Sequence, residues 1–303
     1  MKVLVTGASG FVGRVIVRQL IDAGDEVVVL TRNVAKAALN LGSKCQYIQW
    51  ADTTTPPPLD AFNGVEGVVN LMGENLADKK WDEEQKKRIH DSRTIGTAVL
   101  IEAISKLEKK PRVLVSTSAV GIYGHRNSED LNEASKLGDD FLATVCKDWE
   151  SEANKARDLG LRVVTIRAGV VLGRNGGALQ KMLPVFKLGL GGPLGSGNQY
   201  MSWIHVEDVA AMYVEALKNN NLQGPCNATA PYPATNAEFS KLLGKTLKRP
   251  ACLKAPRFAV KLVAGEMSEM VLEGQKVLPT KFKEQKFRFR YPTLEMALKE
   301  TAF

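Results

Sequence analysis

Gly7, Gly10 and Gly13 stand three residues apart near the amino terminus, a spacing suited to holding a phosphate group. They follow a short apolar run, Val3 to Val5, and lead into an amphipathic segment from Phe11 to Ala23. This order predicts a strand, a tight turn and a helix. Gly7 lets the chain leave the strand in a conformation that a β-carbon forbids, and Gly10 lets the main chain approach an anion. Free N–H groups at the start of the helix then favour negative charge.

A second strand, predicted from Glu26 to Leu30, completes the strand, turn, helix and strand order that dinucleotide binding requires. A carboxylate about twenty residues past the glycines would bind the ribose 2′-hydroxyl of NAD. Thr31 and Arg32 follow the strand instead. Because a guanidinium can grip a phosphate with two hydrogen bonds, Arg32 favours NADP(H) as the cofactor. The alternative is that Arg32 is a solvated surface residue.

The glycine spacing, together with Phe11-Val12-Gly13, resembles the extended and atypical short-chain dehydrogenase/reductase families. A second stretch, Ser116 to Gly124, is similar to the active-site segment of these families. The resemblance implies that Ser118 binds a substrate carbonyl, whose oxygen gains negative charge during hydride transfer. The alternative is a strand-end serine that caps a turn.

The resemblance also implies which residues surround the cofactor. The fourth predicted strand, 67–73, corresponds to the family strand that ends near the nicotinamide ribose. Asp52 is a candidate to meet the adenine edge, or else an aspartate that stabilises a turn. Arg93 replaces the usual asparagine of a family motif and puts a cation near the cofactor or substrate, unless it forms a surface ion pair. The implied cofactor-binding residues are Gly7, Ser9, Gly10, Phe11, Val12, Gly13, Arg32, Asp52, Leu71, Met72, Gly73 and Arg93.

The family pattern fails on the helix predicted over 138–150. A tyrosine and, four residues later, a lysine that lowers the tyrosine's pKa normally lie there. Aligned on Glu150, Leu142 and Cys146 take those positions. Shifted by one residue, Ala143 and Lys147 take them. Both alignments remove the proton donor, and the helix resembles that of an atypical, epimerase-like subgroup with a short C-terminal domain.

Other groups would then have to donate the proton: Tyr123, His205 or an ordered water. His205 titrates near neutral pH, but a structural hydrogen-bonding role is favoured over general-base catalysis. Asp208, three residues on, is predicted to cap a helix. Cys146 could act as a nucleophile, yet a packed structural cysteine is favoured because Lys147 lies on a different face of the helix.

The composition is that of a globular protein, with 44% hydrophobic and 24% charged residues in 303. A formal net charge of +8 raises nucleic acid as a partner. In the most basic segment, Lys281 to Arg290, aromatic residues partly alternate with cations, which favours a half-buried strand over a base-stacking platform. We therefore expect a small-molecule substrate and no nucleic acid, and a homodimer stays open.

The four cysteines lie far apart without a CxxC pair, and the chain has three histidines. Neither a disulfide framework nor a metal site is expected. No apolar run approaches the roughly twenty residues of a membrane span, and the strand predicted directly after Met1 leaves no room for a signal peptide. We expect a cytoplasmic protein, in a reducing compartment, without a membrane partner.

Six alternations of strand and helix predict an α/β fold: a doubly wound parallel sheet of the Rossmann type with a small, discontinuous α+β C-terminal lobe. The nucleotide-binding domain is expected over 1–173, with 202–218 returning to it. The substrate lobe is expected over 174–201 and 219–303, with a glycine-rich flap over 176–197.

The Ser118 region, the flap and the strand end after Arg167 are expected to converge on one cleft. This favours an NADP(H)-dependent oxidoreductase or epimerase acting on a small carbonyl or sugar-type substrate. The alternative is a non-catalytic NADP(H)-binding sensor or partner-binding protein, because loss of the tyrosine removes acid–base help worth about 10²–10⁴ in rate.

Overall fold

A seven-stranded parallel sheet forms the centre of the computed structural model, which describes residues 1–174 and 176–302. The strands are β1 (Lys2–Thr6), β2 (Glu26–Thr31), β3 (Cys45–Gln49), β4 (Gly67–Asn70), β5 (Val113–Ala119), β6 (Asp130–Leu131), β7 (Arg162–Ala168), β8 (Val170–Gly173), β9 (Tyr200–Met201), β10 (Trp203–His205), β11 (Gly224–Ala228), β12 (Ala234–Thr235) and β13 (Lys276–Val277). The main sheet has the order β11-β7-β5-β4-β1-β2-β3, and its pairings are parallel. The predicted doubly wound sheet is confirmed.

Helices cover both faces of this sheet. In chain order, the α-helices of the described residues, including those of the C-terminal lobe, are α1 (Phe11–Asp22), α2 (Val34–Leu41), α3 (Glu83–Ser105), α4 (Phe141–Asn154), α5 (Gly177–Lys187), α6 (Val206–Lys218), α7 (Asn236–Leu247), α8 (Arg257–Ala264), α9 (Glu269–Leu272), α10 (Thr280–Glu284) and α11 (Leu294–Thr301). On one face, α1 and α6 enclose an apolar core that includes Ile16, Leu20 and Met212. On the other, α3 and α4 pack over Leu4 and Val68 of the strands. The apolar runs of β1 and β4 are buried because helices cover both sides of a parallel sheet.

The C-terminal lobe has an apolar core of its own. Leu179 and Phe186 of α5 pack there with Phe239 and Leu243 of α7 and with Leu298 of α11. The stretch predicted as a flap therefore includes the helix α5, whose apolar face is buried in the lobe.

The predicted start of the lobe at residue 219 needs a correction. Strand β11 pairs in parallel with β7, so Gly224–Ala228 forms the edge of the main sheet. Both Cys226 and Ala228 are buried in the core beneath that sheet. The sequence predicted a strand near Asn227 but assigned it to the lobe, because only its pairing with the distant β7 shows which sheet it joins.

The prediction of a strand over Lys281 to Arg290 is wrong. This segment forms α10 and then an irregular stretch that turns at Lys286, whose φ is +57°. Phe282 packs edge to face on Phe287, and Phe287 on Phe289, with centroid distances of 5.5 and 5.1 Å. The aromatic residues of this segment form a cluster of three rings on the core, and this cluster accounts for their partial alternation with basic residues.

Asp208 does not cap α6, contrary to the prediction. Its carboxylate accepts hydrogen bonds from the N–H groups of Arg290 (2.7 Å) and Tyr291 (2.9 Å), which anchors the C-terminal segment to α6. The capping residue is His205, whose Nδ1 accepts the N–H of Glu207. Its Nε2 lies 3.0 Å from Glu300, so both ring nitrogens have partners.

We expect His205 to make the unfolding free energy decrease as the pH is lowered. Burial lowers the pKa of His205 below its ordinary value of about 6.5, although Glu300 opposes the shift. The neutral ring is thus the native form, so this contribution is present above the unfolded pKa and is lost as pH falls through the folded one. Urea unfolding at pH 7 and pH 5 should show a smaller loss for His205→Asn than for the wild type, each pKa unit being worth about 1.4 kcal/mol. Equal losses in wild type and variant, with the surface variant His125→Asn as control, would contradict this account.

Candidate cofactor site and reaction centre

The glycine turn is sterically closed to larger residues. Gly7 has a φ of +63°, and a β-carbon there would lie 2.8 Å from the carbonyl oxygen of Leu71. A β-carbon on Gly13 would lie 2.4 Å from the oxygen of Gly7. The N–H of Gly10 donates to that same oxygen at 3.0 Å, which tightens the turn. Helix α1 begins directly after Gly10 without a side-chain cap, so its first N–H groups stay available to an anion.

A cleft of about 600 Å³ lies above this turn. Because β1 stands between β2 and β4 in the sheet, the cleft runs from the end of β2 across the turn to the loop after β4. Its lining residues are Thr6, Gly7, Ala8, Ser9, Gly10, Leu30, Thr31, Arg32, Trp50, Thr53, Leu71, Met72, Gly73, Glu74, Asn75, Asp78 and Ser92. The cleft therefore lies at the carboxyl ends of the strands, where such sheets bind ligands.

Seven of the predicted cofactor residues line the cleft: Gly7, Ser9, Gly10, Arg32, Leu71, Met72 and Gly73. Arg32 is exposed, and within residues 1–174 and 176–302 no carboxylate lies within 4.0 Å of it. Its guanidinium is thus free to take an anionic partner. At the opposite end, the carboxyl-bearing residues Glu74 and Asp78 line the cleft.

The other predicted cofactor residues do not line the cleft. Phe11 packs under the lobe, where a β-carbon on Gly176 would lie 2.3 Å from its ring. Val12 packs partly buried against the core, and Gly13 lies behind the turn. Asp52 accepts hydrogen bonds from the N–H and hydroxyl of Thr54, which also lower its pKa, as expected of the turn-stabilising alternative.

Sequence reasoning missed several lining residues, above all Trp50, Thr53 and Ser92. Trp50 and Thr53 follow β3, so the strand-end rule that selected Arg32 could also have selected them. Ser92 has no such signal. It reaches the cleft because its hydroxyl accepts the N–H of Glu74, which ties α3 to the loop after β4.

Arg93 lies directly beside Gly73. A β-carbon on Gly73 would lie 3.1 Å from the Cζ of Arg93. The guanidinium donates to the carbonyl oxygens of Ile89 (2.9 Å) and Glu74 (3.0 Å) and stacks over the ring of Trp149. Burial lowers its pKa. These carbonyl partners replace the surface ion pair considered above, and they fix a cation next to one end of the cleft.

Ser118 is the last residue but one of β5, and its buried Oγ has no hydrogen-bond partner among the described residues. It is not among the residues that line the cleft. The thiol of Cys146 lies beside it, in a contact that falls short of hydrogen-bond geometry. Burial, with help from Glu150, raises the pKa of Cys146 to about 11, and Arg93 offsets only part of this shift. The thiol is therefore protonated at neutral pH, which supports the packed-cysteine alternative.

The tyrosine position, occupied by Leu142 in the first alignment, faces Gly121, with 3.6 Å between the Cβ of Leu142 and a β-carbon built on Gly121. Leu142 also belongs to an apolar cluster with Phe141 and Met267. Leu142 is thus packed among apolar groups. Which of the two predicted alignments applies stays a prediction.

Tyr123 and His205, the predicted proton donors, are both enclosed. Tyr123 is fully buried, and its hydroxyl donates to Asn227 at 2.7 Å while accepting from Arg167 at 2.9 Å. Burial raises its pKa. His205 lines a second cavity, of about 700 Å³, which runs along the outer face of α1 and includes Arg14. Both side chains are engaged by residues far away in the sequence, and neither lines the cleft. Their role as proton donors stays a prediction.

The site and fold together define a class of protein. The family described as "NAD dependent epimerase/dehydratase family" matches residues 3–232, and a domain of unknown function (DUF1731) matches 255–301. The chain belongs to the NAD-dependent epimerase/dehydratase family.

Particular relatives match nearly the whole chain. An epimerase family protein SDR39U1 homolog, described as chloroplastic, from Arabidopsis thaliana is 42% identical over 99% of this chain and 86% of the relative. The human epimerase family protein SDR39U1 (isoform 2), crystallised with NADPH, has a TM-score of 0.89 at 37% identity and covers 100% of this chain and 99% of its own. A nucleoside-diphosphate sugar epimerase from Corynebacterium glutamicum has a TM-score of 0.80 at 32% identity, covering 100% of this chain and 58% of its own.

Glu150 and Arg167 form a buried ion pair at the reaction centre, with two hydrogen bonds of 2.8 and 2.9 Å. Burial opposes the charge of Arg167, but Glu150 and Tyr123 hold its pKa above the ordinary range. Glu150→Ala leaves a buried guanidinium without its carboxylate and should cost about 3–5 kcal/mol of unfolding free energy. The exposed pair of Glu102 and Lys106 offers a control, since Glu102→Ala should cost under about 1 kcal/mol. Both variants would be measured by urea unfolding. If they lose similar amounts of unfolding free energy, Glu150 and Arg167 do not act as a stabilising buried ion pair.

Proposed function

We propose that this chain is an NADP(H)-dependent oxidoreductase or epimerase-like enzyme that acts on a small carbonyl or sugar-type substrate. The observation that carries the proposal is the cleft above the glycine turn, with Arg32 at the end of β2 and no acid there. The human relative crystallised with NADPH supports the same cofactor.

The residues present fit a dinucleotide phosphate. Side chains at Gly7 and Gly13 would collide with backbone, so the turn keeps its main-chain N–H groups close to the cleft. Arg32 offers a planar set of donors to the 2′-phosphate that distinguishes NADP(H) from NAD(H). At the opposite end, Arg93 places a fixed cation beside Gly73, near the carboxyl-bearing residues Glu74 and Asp78 that line the cleft.

When bound, NADP(H) supplies or accepts a hydride. We infer that Ser118 donates its hydroxyl proton as a hydrogen bond to the substrate carbonyl oxygen. Its buried Oγ is without a partner among the described residues, and an unmatched buried hydroxyl costs about 1–3 kcal/mol. A substrate oxygen would satisfy it and be stabilised as its charge grows.

The proton would then come from an ordered water. Of the three predicted donors, Tyr123 and His205 are engaged in buried contacts, which leaves the ordered water. The thiol of Cys146, considered above as a nucleophile, is enclosed and protonated. Water-borne proton transfer would make the enzyme slower than one with a phenol, by up to the 10²–10⁴ that general acid–base catalysis supplies.

Replacing Arg32 tests the cofactor. Arg32→Ala should weaken NADPH binding about 10- to 150-fold, since a charge-assisted hydrogen bond contributes roughly 1.5–3 kcal/mol. Binding of NADH should change little. Lys36→Ala, an exposed cation on α2, serves as the control and should leave both dissociation constants unchanged. Calorimetric titration that finds equal affinities for NADPH in wild type and Arg32→Ala would remove Arg32 from the 2′-phosphate site.

Replacing Ser118 tests the reaction. The protein with NADPH should be assayed for cofactor oxidation against aldehydes, ketones and nucleotide sugars. With an active substrate, Ser118→Ala should lower kcat about 10²- to 10³-fold while the NADPH dissociation constant stays the same. If no substrate oxidises NADPH above the buffer rate although NADPH binds tightly, the protein is a non-catalytic sensor.

A further inference from the structure

Helix α8 turns its apolar side to solvent. None of its residues is buried, and Phe258, Leu262 and Val263 are 74%, 82% and 73% exposed. At about 100° per residue, these three side chains span an arc of about 140° on the helix. A helix that packs on a globular core normally buries that arc instead. Here the inward side carries the half-buried Val260 and Ala264.

Further exposed leucines adjoin α8. Leu253, in the segment leading into α8, is 52% exposed, and its N–H donates to the carbonyl of Gly191. This pairing brings Leu188 and Leu190, which are 74% and 56% exposed, to the same edge of the lobe. We name this surface the apolar rim; it consists of Leu188, Leu190, Leu253, Phe258, Leu262 and Val263. An exposed apolar surface of this extent marks an interaction site.

Exposed cations border the apolar rim. The segment 248–264 carries five cations and no acid: Lys248, Arg249, Lys254, Arg257 and Lys261. All five are exposed. Arg257 pairs with Glu273, whereas no carboxylate of the described residues lies within 4.0 Å of the other four. Three acids follow α8: Glu266, which pairs with Lys86, Glu269, and Glu273, which pairs with Arg257. The rim is therefore apolar at its centre, and cations outnumber acids at its border.

Two partners could cover the apolar rim: a second copy of this chain or a lipid surface. The charge pattern favours the lipid surface. A second copy of the chain, packed through the same surface about a two-fold axis, would bring the basic segment against itself. An anionic lipid surface instead matches both features, because interfacial helices bury Phe and Leu below the headgroups and keep Lys and Arg among them.

We propose that the apolar rim docks on the surface of an anionic lipid bilayer, with α8 lying in the plane of the interface. Among the residues described, no helix is long and apolar enough to cross a membrane. Surface docking needs no such helix, so the proposal revises the expectation of no membrane partner, which considered only spanning segments.

The test is sedimentation of the full chain with vesicles of phosphatidylcholine alone or of phosphatidylcholine with phosphatidylserine. The wild type should partition onto the anionic vesicles only, and added salt should release it. The double variant Phe258→Ala/Leu262→Ala and the charge variant Lys254→Gln/Lys261→Gln should each weaken partition by about tenfold or more. Because these side chains are exposed, the melting temperature and NADPH binding should not change.

Leu39→Ala provides the matched control, since Leu39 is an exposed leucine on α2 and should not affect partition. Absence of binding to anionic vesicles, or equal binding by all variants, would overturn the proposal. So would a concentration-dependent dimer in analytical ultracentrifugation that Phe258→Ala/Leu262→Ala abolishes, because the rim would then bind a second copy. These outcomes do not depend on whether a substrate is ever turned over.

Discussion

The close approach of α1 to β1 is the constraint on which the rest of the structure depends. A β-carbon on Gly13 would lie 2.4 Å from the oxygen of Gly7 and 2.8 Å from the Cα of Ala8, so any other residue would push the helix away. With the helix in place, its first N–H groups face the cleft, and β2 and β4 bring Arg32 and Gly73 to opposite sides of the turn. The geometry of the cleft thus depends on how closely α1 approaches the backbone that follows β1.

The sequence predicted the parts of the protein that local chemistry controls. Glycine spacing identified the turn, apolar runs identified the central strands, and strand ends identified Arg32. Long-range contacts account for the errors. Tyr123 is buried because its hydroxyl meets Asn227, 104 residues away in the chain. Asp208 binds backbone 82 and 83 residues further on instead of its own helix. No local pattern encodes such partners.

Helix α4 packs against β5 and the residues that follow it. Leu142 packs against Gly121, and the protonated thiol of Cys146 lies beside the unpartnered Ser118 hydroxyl. Arg167 donates hydrogen bonds to both Glu150 and Tyr123. None of these three residues lines the cleft. Ser118 therefore has a buried hydroxyl without a hydrogen-bond partner among the described residues, and its hydrogen bond to a substrate carbonyl stays a proposal.

We propose that the cleft above the glycine turn holds NADP(H), with its pyrophosphate bound by the turn and its 2′-phosphate bound by Arg32. A crystal structure of the chain with NADPH would show whether this is so. We expect the pyrophosphate to lie against the N–H groups that follow Gly10, with the 2′-phosphate within about 3.2 Å of the Arg32 guanidinium. A dinucleotide in the outer cavity beside Arg14, or one in the cleft with its 2′-phosphate turned away from Arg32, would contradict it.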